Sequence, residues 1–250
     1  MYSQWGAFNR RETIDLADLT AQKEKPGLTT TQASTLCDRL RKDLLEGRLK
    51  PGRKLQIKFL SDEYEVGQTP IREALNRLAS EGLVELRDQR GFVVTGISVD
   101  ELRELTQTRC WLEETALRAS MKAASPEWEE GLVLAWHRLS RTPRSTAPDR
   151  FESNPEWERL HRLYHRHLIS GCGSRWLIAY CEQQADLLYR YRQFSVRKIY
   201  PNRSVKEEHE AIVRTVLDGD SDRAVQLLTA HYQSTADIIL ADPAVFANSG

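Results

Sequence analysis

The stretch from Thr31 to Thr95 constrains this chain most, because it strings together element signals in an order that few folds use. Leu36, Leu40, Leu44 and Leu45 recur at helical spacing, and Gly47 followed by Pro51-Gly52 ends that helix in a turn. A second helix fits Ile57 to Tyr64. After the turn Glu65-Val66-Gly67, Thr69 is expected to cap a third helix with Pro70 at its first position, running to Gly82. Leu83 to Leu86 and Phe92 to Thr95, separated by Arg87-Asp88-Gln89-Arg90-Gly91, then read as a β-hairpin. Helix, helix, turn, helix, hairpin is the order of a winged helix-turn-helix.

Beyond Gly96 the sequence carries no convincing strand. Ser98 and Glu101 form a capping-box pair that opens a long helix to about Lys122, and Ser125-Pro126 opens another to about Arg141. The segment TPRSTAPDRFESNP is a Pro-, Ser- and Thr-rich loop. Asn154-Pro155 caps a helix to Ser170, Gly173-Ser174 precedes one to about Ser195, Ser204 and Glu207 form a further capping box, and Ser221 starts the last helix. Six helices in this half make an all-α bundle of six to seven helices. A chain of 250 residues exceeds the ~100–150 that one core usually organises. The expected organisation is a mainly α protein: an arm or short extra helix over residues 1–27, a winged helix-turn-helix over 28–97, and an all-α domain over 98–250.

Charge decides how such a chain could meet nucleic acid. Its 36 Lys and Arg are matched by 36 Asp and Glu, which excludes a uniformly basic binder and leaves only a local patch. The third helix supplies one. Ile71, Leu75 and Leu78 share a face, which leaves Gln68, Thr69, Arg72, Asn76 and Arg77 on a polar side free to enter a groove. Arg87 and Arg90 beside Gly91 in the hairpin turn, with Lys54 and Lys58 ahead of the third helix, add cations that a winged fold brings to one side. There is no apolar run of the ~20 residues needed to span a bilayer, and the N-terminus lacks the apolar core of a signal peptide, so a cytoplasmic protein without a membrane partner is expected. Cys37, Cys110, Cys172 and Cys181 are scattered, which predicts free thiols rather than a redox pair or zinc ribbon.

The run LKPGRKLQIKFLSDEYEVGQTPIREALNRLASEGLVELRDQRGFVV resembles the DNA-binding domain of GntR-family bacterial transcription regulators, with PIREALNRLASEGLVE as its most recognisable part. The resemblance implies that Lys58 contacts phosphate or base from the second helix, that Thr69 and Arg72 are recognition-helix contacts, and that Gly91 lets the wing enter the minor groove. Gln68 stands where the family usually has Arg, and Ser61-Asp62 where it usually has Leu-Ala. The first difference favours adenine over guanine at the corresponding operator position.

Four of the six histidines fall in three helical segments of the second half. The spacing His161-x3-His165 puts both imidazoles on one helix face, about 40° apart. His209 and His231 flank Gly219-Asp220, so they are expected on the two arms of an antiparallel hairpin and can both point inward. Three helices each donating a nitrogen would suit Zn, Ni, Mn or a similar divalent ion. His137 and His167 are expected to be ordinary hydrogen-bonded residues, the latter facing away from the site.

The regions YHRHLISGCGSRWL and EEHEAIVRTVLDGDSDRAVQLLTAHY are similar to the FCD-type effector domain of the FadR branch of GntR regulators. Many such domains hold a metal with a carboxylate or amide and three histidines. The resemblance makes His165, His209 and His231 the three histidines and puts His161 where Asp or Asn usually stands, which favours Zn or Ni over Mn. Arg109, in RCWLEETALRAS, matches an arginine that often faces the effector, although its spacing also allows an ion pair with Glu113 on a solvated face. Arg190 and Arg192 are further effector candidates, while Tyr189 and Tyr191 are packing or dimer residues. SGCGSRWL and RYR resemble the CsiR-type subset, which implies a short dicarboxylate such as glutarate or a hydroxyglutarate. The whole resemblance implies a dimeric, operator-binding regulator, usually a repressor, and not an enzyme. A metal-dependent hydrolase using a His-bound water is the alternative; it lacks a general base in an H-E-x-x-H pattern. A helical lipid carrier would need a more apolar tunnel.

Overall fold

The computed structural model describes residues 32–147, 149–199 and 203–246, so the expected arm over 1–27 lies outside the described residues. Three helices, α1 (Gln32–Leu45), α2 (Ile57–Glu63) and α3 (Gln68–Ser80), precede strands β1 (Val84–Arg87) and β2 (Gly91–Val94). The strands pair antiparallel from Val84 opposite Val94 to Arg87 opposite Gly91, and Lys54 bridges Val93 on the outer side. Leu36, Leu40 and Leu44 of α1 pack with Ile71, Leu75 and Leu78 of α3 in one apolar core, as their spacing requires. The winged helix-turn-helix is therefore present, with one correction: α3 begins at Gln68 behind Gly67, and Thr69 is not its cap. Pro70 is then the third helical residue, where its missing N–H costs nothing because the first-turn amides have no intrahelical acceptor.

Six α-helices follow among the described residues: α4 (Val99–Lys122), α5 (Pro126–Arg141), α6 (Pro155–Ile169), α7 (Arg175–Ile199), α8 (Val205–Leu217) and α9 (Ser221–Leu240). Three starts are capped as the sequence predicts, with Ser98, Ser125 and Asn154 accepting from backbone amides of the first turn. Ser204 makes no such side-chain bond, so the expected second capping box does not form. At the first box Tyr191 takes the reciprocal role: its hydroxyl accepts from Ser98 N at 3.1 Å and donates to Glu101. The Pro-rich connection before α6 is tied by the Ser145 hydroxyl, which bonds Ala147 and Arg150 carbonyls and the Glu152 amide. Between α8 and α9, Gly219 sits at φ 79°, a conformation that lets the chain reverse tightly enough to bring His209 and His231 face to face.

One helix ties the two halves together. From α7, Leu187 enters the core of the winged domain, the Gln183 side chain donates to the Glu81 carbonyl at 3.3 Å, and Arg190 donates to the Thr95 carbonyl. Tyr191, fully buried, packs with Ile97, Leu102 and Ile239 at the junction. Among the described residues no helix is long and apolar enough to cross a membrane.

Candidate metal centre and DNA-reading face

On α3, Ile71, Ala74, Leu75 and Leu78 are buried, whereas Gln68, Thr69, Arg72 and Asn76 are exposed. Positions 69, 72 and 76 fall one helical turn apart, so they form a polar ridge at the N-terminal part of the helix, where base edges are usually met. Lys58 on α2 and Arg90 and Gly91 in the wing are exposed too. The wing turn needs left-handed backbone at Gln89 (φ 61°) and Gly91 (φ 72°), and a side chain at Gly91 would meet nothing but that conformational cost. Arg87 is engaged by Glu85 at 2.8 Å, which leaves Arg90 as the wing's more available cation.

The second site lies inside the helical domain. His161 and His165 project from α6, His209 from α8 and His231 from α9, and one ring nitrogen from each lies within 4.8 Å of all the others. His165 Nε2 is 3.1 Å from both His161 Nε2 and His209 Nε2. His165, His209 and His231 are buried and His161 half-buried. Burial holds all four imidazoles below their ordinary range, and the proximity of the other rings and of Arg192 and Arg203 pushes His161, His165 and His209 further down. Neutral nitrogen donors gathered this closely suit a borderline divalent ion, and a packed core ordinarily avoids them.

The outer nitrogens are held as well. His231 Nδ1 lies 2.7 Å from Glu208 Oε2, and Arg203 grips the same carboxylate at 2.6 and 2.7 Å. Burial opposes ionisation of Glu208, yet the His231 and Arg203 bonds outweigh it and pull the carboxyl down to about 2. His165 Nδ1 lies 3.0 Å from the Tyr232 hydroxyl, which donates to the buried Glu113. Glu113 in turn accepts from Arg109 Nε at 2.7 Å, and that guanidinium lies 3.8 Å from the centroid of the Tyr232 ring.

Beside the cluster opens a cavity of about 300 Å³, lined by His161, His165 and His231 together with seven arginines and two glutamates. Arg109 and Arg192 line it. The Arg109–Glu113 pair predicted from spacing forms, but in the interior rather than on a solvated face. Arg190 does not line it: two residues from Arg192 on the same helix, it points the other way, to Thr95. Tyr191 and Tyr189 both pack as expected, and Tyr189 also borders the cavity. His167 turns away to the Trp128 carbonyl at 2.8 Å, and His137 is exposed. Arg203, Glu208, Glu113 in its role beside the histidines, and Tyr232 were not singled out by sequence as parts of the site; only the i,i+4 spacing of Arg109 and Glu113 signalled one of them.

Comparison with known proteins settles the family. The FCD domain family matches residues 104–234, and the family of bacterial regulatory proteins known as gntR matches residues 32–94. The chain belongs to the GntR family of regulators and carries an FCD domain. It is 38% identical over 201 residues to the uncharacterized HTH-type transcriptional regulator BphR of Paraburkholderia xenovorans, covering 80% of this chain and 82% of that one. It is 29% identical over 204 residues to the HTH-type transcriptional repressor GlaR of Escherichia coli, covering 80% and 92%. The solved structure of Escherichia coli McbR/YncC shares the fold, with a TM-score of 0.69 at 21% identity, covering 84% of this chain and 97% of that one. A GntR regulator from Rhodococcus does so with a TM-score of 0.68 at 17% identity, covering 85% and 99%. This GntR regulator is thus a DNA-binding transcription factor and not an enzyme.

Proposed function

We propose that this regulator is a repressor whose operator affinity is set by a small carboxylate bound beside a divalent metal in the helical domain. The observation that carries the proposal is the convergence of four imidazoles, three of them on the wall of an arginine-lined cavity. His165, His209 and His231 would hold the ion, and Zn or Ni suits their neutral nitrogens better than Mn. A bound ion of this kind supplies a Lewis-acidic position for one carboxylate oxygen. The protein's own part is to orient and neutralise. Glu208 and Tyr232 fix the rings of His231 and His165, and Arg109, braced by Glu113, presents its cationic edge to the cavity. Several further guanidiniums at the cavity could take the distal carboxylate of a dicarboxylate, since planar guanidinium forks recognise carboxylates bidentately.

Helix α7 connects this cavity to the DNA-reading half. Arg192 and Tyr189 border the cavity, while Arg190 and Tyr191 grip Thr95, Ser98 and Glu101 at the junction. A ligand that favours one placement of α7 would therefore bias the winged domain, which is all that coupling requires. Lys58, Gln68, Thr69, Arg72, Arg90 and Gly91 would meet the operator. A homodimer fits as well: α4 and α7 run antiparallel, and they leave Trp111, Trp176 and Tyr180 more than half exposed. Fluorescence anisotropy with DNA from upstream of the regulator's own gene, with and without glutarate and related carboxylates, tests the proposal. It expects one carboxylate to change affinity at least tenfold in the metal-loaded protein. A full panel without effect would refute it.

A further inference from the structure

A neutral imidazole has one N–H and one lone pair, so what its outer nitrogen meets fixes what its inner nitrogen offers. His231 Nδ1 meets the Glu208 carboxylate at 2.7 Å, which can only accept. Arg203 also comes within 3.4 Å of that nitrogen, but its Nη2 is already given to the His231 carbonyl and to Glu208 at shorter distances. His165 Nδ1 meets the oxygen of Tyr232, whose hydrogen is committed to Glu113. Both rings therefore carry their proton outside and turn an Nε2 lone pair inward, as ion ligands must.

His161 is wired the other way. Its Nδ1 faces Arg192 Nη1 at 3.3 Å, and a guanidinium only donates. Nδ1 thus holds the lone pair and Nε2 the proton, pointing at His165 Nε2 3.1 Å away. The ring has little freedom to change this. It stacks on Trp157 with centroids 4.6 Å apart and planes 14° from parallel, and Arg192 is anchored by the buried Glu158. His161 also lines the cavity, whereas His209 does not.

Resting on the reading of His165, His209 and His231 as ion ligands, we propose that His161 is not a fourth ligand but an Nε2–H donor to the effector's carboxylate, held in that tautomer by Arg192 and Glu158. An anionic oxygen at this position would repel a carboxylate, whereas an imidazole N–H attracts one, so the residue selects for the charge and placement of the effector.

The test uses the full-length protein, Zn²⁺ as the ion and glutarate and acetate as probes. Long-range ¹H–¹⁵N spectra of the Zn²⁺-loaded parent should show His161 protonated on Nε2 and His165 and His231 on Nδ1. In calorimetry, His161→Phe, which keeps the stack on Trp157, should leave Zn²⁺ affinity within about threefold and weaken the better-binding probe about tenfold or more. His165→Phe should lower Zn²⁺ affinity by more than about a hundredfold. If His161 is protonated on Nδ1, or if both variants lose Zn²⁺ equally, the role given to His161 is wrong while the ion reading stands. A parent that binds no Zn²⁺ overturns both.

Discussion

Replacing Tyr232 by Phe takes one oxygen away from beside the histidine cluster and leaves the ring in place. Burial keeps the Tyr232 hydroxyl well above its ordinary pKa, so it is protonated and donates to Glu113 while accepting from His165. Glu113 is 2% exposed, and without Tyr232 its second oxygen loses its donor while Arg109 still serves the first. A hydrogen bond to a buried carboxylate contributes about 1.5–3 kcal/mol, and the neutral one to His165 about 0.5–1.5 kcal/mol. Phe creates no cavity, so the metal-free protein should lose about 2–4.5 kcal/mol of stability, seen as a lower guanidinium midpoint at unchanged slope. With His165 no longer oriented, Zn²⁺ affinity should fall about 10- to 100-fold in calorimetry. Ser80→Ala, at an exposed position at the end of α3, is the control and should change neither. A Tyr232→Phe protein with the parent's midpoint and the parent's Zn²⁺ affinity would refute the hydrogen-bonded chain from Glu113 through Tyr232 to His165.

Three further outcomes are expected. Arg72→Ala should weaken specific operator binding by about tenfold or more in anisotropy with metal content unchanged; loss of metal would contradict the separation of the two sites. Trp111→Glu should convert a dimer to a monomer in sedimentation velocity if the aromatic face of α4 and α7 is the interface, and a parent-like dimer would place the interface elsewhere. Burial pushes the thiols of Cys110 and Cys181 up to about 11 and 12, so at pH 8 they are almost wholly protonated. Thiol reagents should therefore label half-buried Cys172 first and the other two only as pH approaches 11 or the chain unfolds. Prompt labelling of Cys110 or Cys181 at pH 8 would show that the interior opens.

How far the sequence reached depends on whether the signal was local. Ser98, Ser125 and Asn154 announced their helices because a cap bonds amides two or three residues away. Thr69 misled by two residues because proline is tolerated throughout the first turn, so Pro70 does not mark its first position. The four histidines were legible from helical spacing and from the hairpin geometry of α8 and α9. Their outer partners were not: Tyr232 reaches Glu113 across 119 residues of sequence and Arg192 reaches Glu158 across 34, pairings that packing alone creates. Arg190 and Arg192 show the limit well. Two residues apart on a helix they must face nearly opposite ways, so spacing says that one of them meets the cavity but not which.

The most direct test of the account is metal analysis of the purified protein coupled to thermal shifts with mono- and dicarboxylates, before and after chelation. The account predicts near-stoichiometric Zn or Ni and a dicarboxylate that raises Tm only in the metal-loaded protein, because a ligand that binds the native state alone stabilises it. Metal-free protein that cannot be loaded, or a carboxylate shift that survives complete chelation, would contradict it.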